Sequence, residues 1–186
     1  PFIITDLVSL GVKNFAPTML MESYETISPM IGNFLNVFLI IAGVLGTFIV
    51  RFIYPRFVKD ELSGLRNIGF ISLPLLALCI WVGGKYVSVP VIVIALCIVS
   101  ACSAIMATLR SYYSARFAPY GKNGEVAGII NACSSLGIVV QTYGLSKVAD
   151  AFNWSTVFSV ITGLWVIFLV VTSLVLPLWN KFKREN

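Results

Sequence analysis

Apolar residues run along this chain in six long stretches, separated by short polar breaks. A helix that crosses the hydrocarbon core of a bilayer needs about 20 mostly apolar residues. The stretches at 1–21, 29–53, 65–84, 87–109, 126–147 and 154–179 meet that length. The pattern therefore predicts an all-α, polytopic membrane protein: a six-transmembrane-helix bundle with a tail at 180–186. The breaks, among them "ESYETIS", "KYVS" and "VADAFN", are short, so neighbouring helices should pack antiparallel.

Small and polar residues mark faces within these stretches. Lipid provides no hydrophobic drive between helices, so their interfaces use small residues and interhelical hydrogen bonds. The fifth stretch offers Gly124, Gly128 and Ala132 at spacing four, then Cys133 and Gly137. Asn131, Ser135 and Thr142 share a face of the same helix. The second places Gly32, Asn36, Gly43 and Thr47 together, and the fourth Ser100, Ala104 and Thr108. These stripes predict close packing, with Asn36 and Asn131 also candidates to face a water-filled cavity. The third and sixth stretches are the least polar and are expected to face lipid.

Composition supports the membrane reading. The chain is 58% hydrophobic and 11% charged over 186 residues, with a net charge of +5. A soluble domain carries about 25% charged residues. The excess of cations could suggest nucleic acid, but it falls between the apolar stretches. Arg51, Arg56, Lys59, Arg66, Arg110, Arg116, Lys122, Lys181, Lys183 and Arg184 would all lie on one side, against Lys85 and Lys147 on the other. By the positive-inside rule the first side is cytoplasmic, and both termini lie there. Trp154 and Trp179, at the ends of the last stretch, suit interfacial anchoring. The four cysteines lie inside apolar stretches and form no metal-ligand spacing, and there is no histidine. No cofactor or metal is expected. The chain opens on Pro1 and reads as part of something longer.

One cation remains. Lys13 sits near the middle of the first stretch, in "GVKNFAPTML". A charge at the centre of a membrane helix costs about 2.5–3.5 kcal/mol on the insertion scale. Asp6, Ser9 and Lys13 fall at i, i+3 and i+7, on one helix face. Asp6 is about 10 Å away along the axis, so a structural ion pair is one reading. Snorkelling, or a different span boundary, is a second. The third is that Lys13 faces an aqueous cavity and meets an anion. Pro17 has no N–H, which frees the Lys13 carbonyl and predicts a kink there. Broken backbone at membrane depth belongs where it faces protein or water.

These residues resemble the C-terminal half of a major facilitator superfamily transporter, most closely the organophosphate:phosphate antiporter group of sugar-phosphate permeases. "GVKNFAPTMLMES" is similar to that group's seventh helix, and "GKNGEVAGIINACSSLGIVVQTYGLSKVADAFNWSTVF" to its eleventh helix and the loop beyond. The two stretches cover about a quarter of the chain, whereas the six-span topology covers all of it. Ser9 stands where phosphate-selective members carry arginine, and Asn14-Phe15 replaces Asp-Trp. "RFIYPRF" lacks the aspartate of the superfamily's cytoplasmic loop motif.

The resemblance implies a site at the membrane midplane, facing a missing N-terminal six-helix half, with access alternated by rocking of the halves. It implies Lys13, Ser9, Asn14, Asn36 and Asn131 as substrate contacts, Asp6 as a coupling or ion-pair group and Pro17 as a gating kink. The expected function is secondary active transport of a small organic anion, such as a sugar phosphate, across the cell membrane. A carboxylate or uronate carried with a proton or cation is an alternative, as is a non-transporting six-helix scaffold. An intramembrane enzyme has the least support, because no nucleophile–base pair or carboxylate cluster lies in the spans. The implied partners are the lipid bilayer, the other half and the anion, with no nucleic acid.

Overall fold

The structure, a computed structural model, describes residues 2–24, 29–57, 60–80 and 87–185. Lys59 and Lys85 of the charge count, and the end of the third expected span at 81–84, lie outside the described residues. Among those described, the fold is all-helical: α1 (Phe2–Ser23), α2 (Pro29–Phe57), α3 (Glu61–Ile80), α4 (Val89–Ala115), α5 (Asn123–Val139), α6 (Ser146–Ala151) and α7 (Trp154–Glu185). A π-helical segment, Val140–Leu145, joins α5 to α6, so these three form one rod and the described residues make six rods.

Five of the rods contain segments long and apolar enough to cross a membrane. The exception is α1, where the apolar pattern predicts the first such span. Asp6, Ser9, Lys13 and Asn14 dilute its hydropathy. It is instead an inner helix, packed against α2, α4, α5 and α7. Val8, Val12, Ala16 and Met19 on it are completely or almost completely buried.

Close backbone approach sets the packing. A side-chain carbon on Gly46 of α2 would collide with the Ala101 carbonyl of α4. Nearby, Ser100 Oγ of α4 donates to the Leu39 carbonyl of α2 at 2.7 Å. This is the small-residue and hydroxyl chemistry expected between membrane helices. Gly32 and Gly43 also face neighbours, Met21 and Ser100, whereas Thr47 turns back to the Gly43 carbonyl.

The third and sixth spans, expected to face lipid, are exposed on one side only: Phe70 and Ile71 of α3 and Ile167, Val170, Leu174 and Leu178 of α7 face outward. α3 and α7 pack on each other, and Trp165 Nε1 donates to the Gly69 carbonyl at 3.0 Å. Phe158, Ile161 and Phe168 of α7 are fully buried. Low polarity fits an apolar interior as well as it fits lipid. The broadest exposed apolar wall belongs to α2, with Phe34, Phe38, Ile40, Leu45, Phe48 and Phe52 among its residues.

Polar straps tie both ends of the bundle. At one end Tyr24 Oη donates to the Val87 carbonyl at 2.5 Å, and Trp154 Nε1 donates to Glu22 at 2.7 Å. At the other, Asp60 N-caps α3 through the Leu62 and Ser63 amides and also accepts Trp179 Nε1–H at 2.6 Å. Arg116 Nε donates to the fully buried Glu61 at 2.7 Å. Tyr113, Phe117, Trp179 and Phe182 pack ring to ring around these groups. Trp179 is thus 6% exposed and bonded to a carboxylate, in place of the interfacial anchor that its position suggests.

Candidate functional site

The polar residues of α1 lie in three places. Nearest its start, Asp6 pairs with Arg110, which extends from α4. The same guanidinium nitrogen donates to Ser134 Oγ of α5 at 2.9 Å. Both charged side chains are mostly enclosed, 17% exposed for Asp6 and 18% for Arg110. Asp6 therefore has a partner on another helix, and that partner is not Lys13. Hydropathy places Arg110 in a loop; α4 continues to Ala115, which keeps Arg110 on the helix and turned inward. Ser9, half-buried, follows one turn along the face from Asp6.

Lys13 comes next. It is half-buried and forms no hydrogen bond or ion pair with any described residue. Its neighbour Asn14 is exposed, and the Asn14 amide nitrogen donates to Gln141 Oε1 at 3.4 Å. Gln141 is 1% exposed, and the same oxygen accepts Thr142 Oγ1–H at 3.4 Å. Both residues belong to the π-helical segment. Such segments within α-helices are frequent at functional sites. Pro17, one turn beyond Lys13, is buried inside a helix that continues through it to Ser23.

Asn36 of α2 and Asn131 of α5 are exposed on the outside of this bundle and are not gathered with Lys13 by any hydrogen bond. Within this bundle α5 packs through a different stripe. A side chain added at Gly124 or Gly128 would meet nothing within 4 Å, and Ala132 is exposed. Gly137 does pack: a Cβ there would stand 2.5 Å from the Ile3 carbonyl oxygen of α1. The buried line runs Ile130, Ser134, Gly137 and Gln141. Each residue turns a helix by about 100°, so Gly128 lies nearly opposite Ile130. Spacing four identifies a stripe but does not say which of several stripes faces inward.

Sequence reasoning missed Arg110, Ser134 and Gln141. Gln141 carried a readable signal, a primary amide inside the apolar run "GIVVQTYG". The four cysteines are free thiols, and among the described residues no three His, Cys, Asp or Glu side chains gather as metal ligands. Among the described residues Lys13 offers an ammonium with no counter-ion, and Asn14, next in the chain, an amide donor; groups of this kind can hold an anion. No family model, curated protein or solved structure matches this chain.

Proposed function

We propose that this chain is one six-helix half of a secondary active transporter of the major facilitator type, moving a small organic anion across the cell membrane by alternating access. Lys13 carries the reading: it is a half-buried ammonium on the innermost helix, with no counter-ion among the described residues. An intramembrane charge of this kind is costly and marks an ion or substrate path by default. Asn14 contributes a neutral donor next to it in the chain, and Ser9 lies one turn before it. The excess of cations at the end that holds the α2–α3 and α4–α5 connections makes that end cytoplasmic.

A carboxylate is the reading for the anion that charge accounting favours. Arg110 is compensated by Asp6. Among the described residues of α1, Lys13 is then the positive charge left without a partner, and a single charge there matches a carboxylate better than a phosphate of about −1.5 to −2. The test is uptake of hexuronate and hexose phosphate into proteoliposomes containing the complete protein with both halves, with Lys13→Ala as the control. Uptake that needs Lys13 supports transport; uptake indifferent to Lys13 removes the anion site.

A further inference from the structure

We infer that Gln141 is a positioning residue of the Lys13 site, acting through Asn14; the inference rests on the anion-transport reading above. Gln141 is almost wholly enclosed, yet its side chain is a primary amide with four hydrogen-bonding positions. Its oxygen is fully engaged, accepting from Asn14 across the helix interface and from Thr142 within its own segment.

The neighbouring packing explains how the side chain reaches α1. Gly11 and Asn14 stand at i and i+3, on one face of α1. A Cβ at Gly11 would lie 3.6 Å from Gln141 Cγ and 3.2 Å from Leu145 Cδ1. With no side chain there, the Gln141 stem lies across the α1 surface and its carboxamide meets Asn14 one turn later. Leu145 closes the other side of the same contact from the far end of the π-helical segment.

Asn14 is exposed and, without Gln141, free to rotate. The hydrogen bond takes one of its two amide hydrogens and fixes the plane of the group. The second hydrogen is left free; Lys13 and Asn14 stand about 100° apart around α1, so an anion held by Lys13 would reach it along the edge between the two faces. Gln141 touches no substrate in this arrangement. It decides where Asn14 points, and so how well the site grips its anion.

The test is zero-trans uptake by the complete protein with both halves in proteoliposomes, with hexose phosphate, inorganic phosphate and hexuronate as probe anions. Asn14→Ala and Gln141→Met should each raise KM by about tenfold, the loss expected for one hydrogen bond to a charged group. Vmax should stay within about twofold, since methionine fills the glutamine's space. The double variant should raise KM no further than either single one. An unchanged KM in Gln141→Met, or effects that multiply in the double variant, overturns the proposal. If Gln141→Met does not fold, Asn14→Ala at its exposed position still decides the matter, and an unchanged KM there overturns the proposal. Lys13→Ala separates the two claims. If it loses uptake while Gln141→Met keeps the wild-type KM, only the role of Gln141 falls. If Lys13→Ala transports normally, or if the unaltered chain takes up none of the three anions, both fall.

Discussion

The Asp6 carboxylate of α1 accepts a hydrogen bond from the Arg110 guanidinium of α4, and Ser134 of α5 shares the same guanidinium nitrogen. Three helices therefore meet at one charge. Removing one partner of an enclosed pair leaves the other uncompensated, at a cost of about 3–5 kcal/mol when burial is deep. Both side chains here keep some exposure, so Arg110→Met should cost less than that range, about 2–3 kcal/mol. Asp6→Asn together with Arg110→Met should cost less than Arg110→Met alone. Thermal melting of the detergent-solubilised protein measures this cycle, and strictly additive losses would remove the coupling.

Asp60, just before α3, titrates in the other direction from a simple buried acid. Burial alone would raise its pKa, but hydrogen bonds from the Ser63 hydroxyl and amide, the Trp179 indole and the Leu62 amide outweigh burial and hold it below the usual carboxylate value. A depressed pKa in the folded state contributes stability above the unfolded value of about 3.9, and that stability is lost as pH falls through the folded value. The protein should therefore keep constant stability near neutrality and lose it below about pH 4. Asp60→Asn should flatten that acid limb. Intrinsic tryptophan fluorescence follows it, because Trp179 is the partner.

Trp179→Phe isolates the same strap without touching the charge. The ring stacking with Phe182 survives, but the indole donor to Asp60 is gone. A hydrogen bond to a charged group contributes about 1.5–3 kcal/mol. A loss of that size in chemical denaturation is expected, and no loss would make the contact incidental.

Two glycines should respond oppositely to the same substitution. Gly46→Ala drives a methyl into the Ala101 backbone and must separate α2 from α4, at about 1–3 kcal/mol or more. Gly128→Ala meets open space within this bundle and should leave its melting temperature unchanged or slightly raised. A lower melting temperature for both would mean that Gly128 packs on something outside these helices.

Much of the fold could be read from hydropathy. Six stretches became six rods, with the α5, π and α6 segments together filling the fifth. What hydropathy could not assign was direction. Phe158 and Phe168 face a core, whereas Phe34 and Phe48 face outward, yet both pairs sit in equally apolar runs. In water, polar residues would mark the outer side; in a membrane helix both sides are apolar. The charges mislead for a related reason. Arg110 lies at the end of an apolar run, and the run alone does not show that the helix continues another turn and points the guanidinium inward. Lys13 is legible because it is the one cation within the stretch 1–21.

The π-helical segment has a consequence for how the chain can be altered. An i→i+5 turn holds one residue more than the i→i+4 ladder on either side of it. Deleting one residue there, such as Gly144, would let a regular ladder close with little change in the faces on either side, because the wide turn already absorbs the extra residue. The segment is therefore where the rod can shed a residue and still keep its bearing toward α1.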